Sequence, residues 1–409
     1  MNCRFCGKSD LYKFIDLGSM PPSNSLLTKE QLREPESYYP LELSVCRSCW
    51  LVQIPEYIKA TEIFRDNYPY HSSQSPANVS HAKEYVEMIC KRFELGKGSH
   101  VLEIGSNDGY MLQWFKEKGC TVLGIDPAKE AAIEARKKGI PTEIAFFSVA
   151  WTNNLSKFDL ISKFDLICGI NVLAHQPDLN DFIEGMKAVL KPNGIITIEF
   201  PHLTHLVDEC QFDTIYSEHY SYFSFTTIHE IFEKHKLEIF DVDEISEHGG
   251  SLRIYVQHAS KIFAEYSEPA KLIQREYNKG VTTIAYYQNF QRKVNKIEYN
   301  LMNFLLEQQI KRKRVIAYGA AAKTNTIFNY CRIKPNTIPF VVDRSPYKIG
   351  KYLPGSHIPI VDEEELKRTK PEYVLITAWN LKEEIMKQLK YIREWEGKFV
   401  TAIPKLEVL

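Results

Sequence analysis

Val101-Leu-Glu-Ile-Gly-Ser-Asn-Asp-Gly109 decides how the middle of this chain folds. An apolar run passes through the acidic Glu103 into a turn with glycines at 105 and 109, and a helical pattern follows. Glycine permits a tight turn and lets a ligand approach the backbone closely. The next apolar run, Val122-Leu-Gly-Ile-Asp-Pro127, ends on Asp126, where a carboxylate suits the two hydroxyls of a ribose. Working outward, strands are expected at 100–104, 121–125, 166–170 and 195–200, with helices at 110–118, 129–138 and 179–190 between them. Short apolar strands alternating with helical spans imply an α/β unit with a parallel, doubly wound sheet. Lys191-Pro-Asn-Gly194 reads as a turn into the fourth strand.

A second α/β unit follows, with strands at 314–318, 340–342 and 373–376 and helices near 323–331, 363–369 and 381–388. A long helical stretch over 264–311 precedes it. Upstream, 75–93 carries apolar residues at helical spacing, Val79, Ala82, Val86 and Ile89. Short strands at 41–44 and 51–54 flank a cysteine knuckle, and Pro69 bars the Tyr68-Pro-Tyr70 segment from a helix interior.

The chain has 409 residues, enough for two or three domains of about 100–200 residues. A net charge of -1 offers neither a basic field for nucleic acid nor a polybasic membrane patch. The start, Met-Asn-Cys-Arg-Phe-Cys, lacks the charged-then-apolar run of a signal peptide, and no apolar run approaches the roughly 18–20 residues of a membrane helix. The expectation is a cytoplasmic protein with no nucleic-acid or membrane partner. In a reducing compartment its nine cysteines are not disulfides. Cys3-x-x-Cys6 and Cys46-x-x-Cys49 instead supply four thiolates for a tetrahedral zinc ion. Four sulfur ligands leave no open position, so that zinc is structural. Cys90, Cys120, Cys168, Cys210 and Cys331 read as small buried side chains.

A dinucleotide turn requires Gly-x-Gly-x-x-Gly, with helix amides facing a pyrophosphate. Here Asn107 stands at the second glycine and no third glycine follows in place. The Glu-x-Gly-x-Asn-x-Gly pattern resembles motif I of class I methyltransferases, whose cofactor S-adenosylmethionine carries no phosphate. NAD(P) and a plain glycine turn are the alternatives. Ala145-Phe-Phe-Ser148 offers Phe147 as a cover for adenine, with core packing as the other reading, and Asp165 reads as a strand-edge residue. The expected cofactor residues are Glu103, Gly105, Asn107, Gly109, Asp126, Phe147 and Asn171.

Asn171-Val-Leu-Ala-His175 follows the third strand, at the carboxyl end where α/β folds bind ligands. Farther on, Tyr216, Glu218, His219, Tyr220 and Tyr222 crowd into seven residues. Tyr-x-Glu-His offers a base, a carboxylate to orient it and a phenol for an oxyanion. A single histidine of this kind is more often structural.

The cysteine knuckles, Glu103–Gly109, Asn171–His175, Tyr216–His219, His248-Gly-Gly-Ser-Leu-Arg253 and Tyr318-Gly-Ala-Ala-Ala-Lys-Thr-Asn-Thr326 occur in the order found in sugar-nucleotide C-methyltransferases, which this chain resembles over nearly its whole length. The resemblance implies a zinc-binding lobe over 1–74, a class I methyltransferase Rossmann-like domain over 75–262, and a C-terminal Rossmann-like α/β domain over 263–409. It implies S-adenosylmethionine-dependent C-methylation of a nucleotide-linked keto-deoxysugar, at C-3 of a 4-keto sugar. His219 would be the base, Glu218 would orient the site, and Tyr216, Tyr70 and His175 would bind the keto and hydroxyl oxygens. His248 and Ser251 would line the sugar cleft, where a hairpin turn explains the glycines equally well. Tyr318, Gly319, Lys323 and Asn325 would meet the sugar nucleotide, with helix amides facing its diphosphate, unless the turn is purely structural. The family commonly has Lys-Gly-Asn in this motif, where Thr324 stands here, and the 149–163 span is longer than usual. A monomer or weak homodimer is expected. The rival readings are O- or N-methylation of a small molecule, an NAD-dependent sugar oxidoreductase, and a non-catalytic sugar-nucleotide-binding subunit.

Overall fold

The computed structural model describes residues 1–64, 68, 70–155, 164–259 and 267–409. The expected span 149–163 lies in part outside the described residues, as do Pro69 of the tyrosine turn and residues 264–266 of the long helical stretch. Three sheets organise the chain. In the first, β1 (Leu11–Met20) pairs antiparallel with β2 (Tyr39–Cys46), and β2 with β3 (Val52–Gln53). Leu41, Leu43 and Val45 alternate inward along β2, the period-2 pattern of a half-buried strand. Two register shifts break that alternation in β1, burying the adjacent Phe14 and Ile15, and this hides the strand from a sequence pattern.

The second sheet contains β4 (His100–Ile104), β5 (Thr121–Ile125), β6 (Thr142–Glu143), β7 (Phe164–Ile170) and β8 (Leu190–Pro201), all parallel. Next along the chain, β9 (Ser221–Tyr222) leaves this sheet and pairs with β3 of the first. The chain then returns in β10 (Leu237–Ile245) and β11 (Ser251–His258), giving the order β10-β11-β8-β7-β4-β5-β6. β11 is antiparallel to both neighbours, so the expected fully parallel sheet is corrected to a mixed one. The turn expected at 191–194 is a bulge inside β8. While β7 advances from Phe164 to Leu166, its partner advances from Leu190 to Ile195. Strand order reverses at β4, which lies between β5 and β7, and the crevice beyond the carboxyl ends of such strands is where ligands bind.

The third sheet runs β14-β13-β12-β15-β16-β17, built from β12 (Val315–Tyr318), β13 (Val341–Val342), β14 (Ile360–Val361), β15 (Tyr373–Ile376), β16 (Lys398–Thr401) and β17 (Glu407–Val408). It is parallel except for β17. Within the expected long helical stretch are three helices, Ser267–Lys279, Ile284–Tyr287 and Phe290–Ile310. The second and third of them share one core with the first sheet and the third, with Phe14 against Tyr287 at 5.0 Å and Phe290 at 5.8 Å, whereas Leu272 of the first joins the core of the second sheet. The cysteine end of the lobe instead packs with helices of the second sheet, through Phe5, Leu51, Phe182 and Phe225. The N-terminal lobe is thus a wedge between the two α/β units. Among the described residues, no helix is long and apolar enough to cross a membrane.

Candidate active site

The four knuckle sulfurs converge. Cys3 and Cys49 stand 3.5 Å apart, Cys6 and Cys46 3.6 Å, and all four lie within 4.8 Å of one another. Sulfurs about 2.3 Å from a tetrahedral zinc are about 3.8 Å from each other, so the cluster fits the ion. Arg4, inside the first knuckle, donates to the carbonyls of Pro177 at 2.9 Å and Ile54 at 2.6 Å and lies over the ring of Tyr220. The metal end of the lobe therefore braces the chain just after His219. Nothing in the sequence marks Arg4 for this part.

The turn after β4 carries most of the expected cofactor residues. Asn107 adopts a left-handed φ of 48°, which asparagine tolerates better than most residues. Its amide donates to Asp126 at 2.8 Å, and its side chain bonds the backbone of Ser72 and Tyr70. Ser73 donates to Asp108, so the segment 70–73 is strapped onto the turn. Both carboxylate oxygens of Glu103, the Ser106 hydroxyl, one oxygen of Asp108 and the Asn171 side-chain oxygen are buried without hydrogen-bond partners among the described residues. Such orphaned acceptors call for a ligand. Burial, and then the charges of Asp126 and Asp108, hold the Glu103 carboxyl well above the ordinary carboxylate range. Burial lifts Asp126 to about 6. Three acidic groups near enough to act on one another suit a cation, and S-adenosylmethionine brings both a sulfonium and an ammonium. Asn171, at φ 56°, closes the far side of the crevice after β7. Phe147 is elsewhere: its ring packs on Phe182 at 5.3 Å and Trp151 at 5.4 Å, against Gly185. The ring left at the surface is Phe146, edge-on to Phe64 at 6.3 Å.

The loop between β8 and β9 gathers the aromatic cluster. His219 lies 4.1 Å from Tyr216 and 4.7 Å from His175, ring centre to ring centre. Burial, and then the neighbouring His175 and His248, push its pKa well below 6.5, so the imidazole is neutral near pH 7. His175 is held at about 4, chiefly by burial. Glu218 does not orient His219 as the sequence suggested. Its carboxylate, 1% exposed, accepts from Asn24 at 2.8 and 2.9 Å and from Tyr68 at 2.9 Å. Its backbone carbonyl accepts from His175 at 2.8 Å. Tyr70 is 41% exposed at the rim, its hydroxyl bonded by Asn78 at 3.0 Å. Asn24 and Tyr68 were not legible as site residues.

The third unit meets the β8–β9 loop where Thr326 donates to the Ile215 carbonyl at 2.8 Å and Trp379 to Asp213 at 2.8 Å. Lys323 donates to Asn380 at 2.7 Å, its ammonium 4.6 Å from the centre of the Trp379 ring. Burial lowers its pKa, and Asp213 opposes that. Lys323 also acts electrostatically on His248, which burial and that charge depress to about 4. Asn325 is fully buried, and neither polar atom of its side chain has a hydrogen-bond partner among the described residues. Tyr318 is corrected to a core residue: β12 alternates, so Ile316 and Tyr318 face the outer core, where the phenol bonds Gln388 at 2.6 Å. The turn amides expected to meet a diphosphate are taken. Gly319 N–H donates to Val342, Ala320 to Asp343 and Ala321 to Thr324.

The His248-Gly-Gly motif owes its glycines to packing. A Cβ on Gly249 would fall 2.4 Å from the Trp379 ring, and one on Gly250 2.5 Å from His205. Both have φ near +90° or above. Ser251 is buried and donates to the Glu247 carbonyl of its own turn at 2.9 Å.

Three family models match the chain: "Putative zinc binding domain" over residues 3–64, "Methyltransferase domain" over 79–242 and "C-methyltransferase C-terminal domain" over 246–404. C-methyltransferase NovU of Streptomyces niveus is 31% identical over 407 residues, covering 100% of this chain and 96% of that protein. The ubiquinone biosynthesis O-methyltransferase of Rhodopseudomonas palustris (strain HaA2) is 28% identical over 135 residues, 30% of this chain and 50% of that one. The crystal structure of magnesium protoporphyrin IX methyltransferase from Synechocystis PCC 6803 with bound SAM aligns with a TM-score of 0.33 and 15% identity, over 44% of this chain and 80% of that chain.

Proposed function

Because the chain belongs to the same family of S-adenosylmethionine-dependent C-methyltransferases as NovU, we propose that it methylates a carbon beside the ketone of a nucleotide-linked deoxysugar, C-3 of a 4-keto sugar. One observation carries this reading: a buried, neutral His219 between Tyr216 and His175, near the crevice after β7. Carbon is a nucleophile only after it loses a proton. That proton goes to the imidazole of His219, and the electron pair it leaves is delocalised onto the ketone oxygen. Tyr216 donates to that oxygen. Its phenol is held well above its usual pKa, by burial and then by the Glu218 charge, and so stays a donor.

Glu103, Asp126, Asn107 and Asn171 would hold the cofactor, with Ser106 and Asp108 beside them. Bound S-adenosylmethionine would supply an electrophilic methyl group on positive sulfur: the substrate carbon would bond to that methyl as the carbon–sulfur bond breaks, the electron pair leaving with sulfur as the neutral thioether. His219 then returns its proton to solvent. His248, Lys323 and Asn325 face the sugar nucleotide from the two sides of the cleft, Lys323 as a point charge for the diphosphate. In this division the zinc lobe over 1–74 braces the loop, 75–262 binds the cofactor and 263–409 the nucleotide.

The test is a panel of keto-sugar nucleotides with S-adenosylmethionine in deuterium oxide. The expected result is a new carbon–methyl bond and deuterium entering the substrate next to the ketone. His219→Asn should lower both by about 10²–10⁴-fold, the usual contribution of a general base, with cofactor binding retained. A methyl group found on oxygen or nitrogen, or a fully active His219→Asn variant, overturns the reading.

A further inference from the structure

Glu218 is a buried carboxylate on which burial, Asn24 and Tyr68 act, with no charged neighbour among the groups that shift it. A carboxylate in that position is ionised only if hydrogen-bond donors replace the water it has lost. Asn24 supplies them. One amide nitrogen straddles both carboxylate oxygens at 2.8 and 2.9 Å, and Tyr68 donates to the second oxygen. An amide nitrogen and a phenol give protons here, so the geometry keeps both oxygens as acceptors. Burial raises the Glu218 pKa above the ordinary value, and the bonds from Asn24 and then Tyr68 offset part of that rise.

Asn24 comes from 194 residues away, in the connection that leaves β1. That connection is clamped at both ends. Leu27 forms a bridge with Tyr352 of the third unit, and Pro21 packs at Gly355. The lobe that carries the zinc cysteines therefore presents one amide, rigidly, to the residue beside His219.

We propose that Asn24 is a positioning residue for the reaction: it holds Glu218 as an ionised carboxylate beside Tyr216, and so makes the zinc-binding lobe part of the active site. The catalytic consequence rests on the keto-sugar reading above. The state of Glu218 does not.

The experiment uses the full zinc-loaded chain and four variants, Asn24→Ala, the nearly isosteric Asn24→Asp, Glu218→Gln, and Asn24→Ala combined with Glu218→Gln. Zinc content and S-adenosylmethionine affinity are measured first, as a control for folding. Without its amide donors Glu218 is harder to ionise, so the acid limb of the kcat profile in Asn24→Ala should move up by about one pH unit. At pH 7 its kcat should fall about 10-fold with KM for the sugar nucleotide little changed. Asn24→Asp, which faces Glu218 with a second carboxylate, should shift the limb farther. The double variant should be no slower than Glu218→Gln alone, because Asn24 acts through that carboxylate. Infrared difference spectra against the wild type at pH 7 give a readout free of substrate: Asn24→Ala gains a protonated-carboxyl band beyond those of the wild type, and the double variant does not. An unshifted pH profile, or losses that add in the double variant, overturns the proposal. If no keto-sugar nucleotide is methylated by the wild type, the functional reading fails, and the carboxyl band alone decides for or against Asn24.

Discussion

The Nδ1 of His175 donates to the backbone carbonyl of Glu218 at 2.8 Å. A carbonyl only accepts, so Nδ1 carries the proton and Nε2 of the neutral ring is left as an acceptor. With a pKa of about 4, this ring stays neutral through the physiological range. His175→Asn keeps a donor at the Nδ1 position and removes Nε2. It should leave the melting temperature nearly unchanged and lower kcat/KM by about 10–100-fold, the loss of one or two strong hydrogen bonds to substrate. Steady-state kinetics beside a melting curve check it; an unaltered rate would remove His175 from substrate contact.

Cofactor affinity should depend on pH. Without a cation in the pocket, Glu103 is raised well above its ordinary value and Asp126 to about 6, in both cases first by burial. A bound sulfonium favours the ionised carboxylates, so binding releases protons near neutrality. As pH falls below about 6 the affinity should weaken, approaching tenfold per unit for each proton that must leave. Calorimetry in two buffers of different ionisation enthalpy counts those protons. Affinity that is flat from about pH 5 to pH 8 contradicts the acidic pocket.

Gly249→Ala tests the contact between the second and third units. The added methyl meets the Trp379 ring at 2.4 Å and forces a left-handed φ on a residue with a Cβ. The two costs together are about 2–4 kcal/mol. The urea midpoint should drop accordingly, and pairing the change with Trp379→Leu should recover part of it. Full stability in the single variant would mean that this face is looser than the packing indicates.

Removing the metal should reach the chemistry through β3 and β9. The cysteine cluster holds the end of β2, β2 pairs with β3, and β3 pairs with β9 two residues after His219. Cys46→Ser, or chelation, should lower activity by more than about 100-fold, because metal binding and folding of such a lobe are linked. Zinc per chain, activity and protease resistance of residues 1–64 are the measurements. Loss of zinc with activity retained would confine the lobe to a bystander.

Much of the scaffold could be read from local pattern. The cysteine spacings, the glycine turn after β4 and the alternation of strand and helix through 100–200 each depend on residues close in the chain. At Gly249-Gly250 the sequence left a sugar-cleft lining and a hairpin turn equally open, and the structure shows a hairpin between β10 and β11. Burial signals failed where one pattern serves two outcomes. Phe147 and Tyr318 both follow apolar runs, and only packing shows that each is turned into a core.

Residues 3–49 and 101–109 announce a metal and a cofactor because thiolate and backbone chemistry depend on which side chains are neighbours along the chain. No such neighbour relation links Asn24 to Glu218, Arg4 to Pro177, or Lys323 to Asp213. Those partners meet only because β9 crosses from the second sheet to the first and the lobe is wedged against the third. Contacts between residues far apart in sequence leave no periodicity behind, so the folded chain alone assigns them.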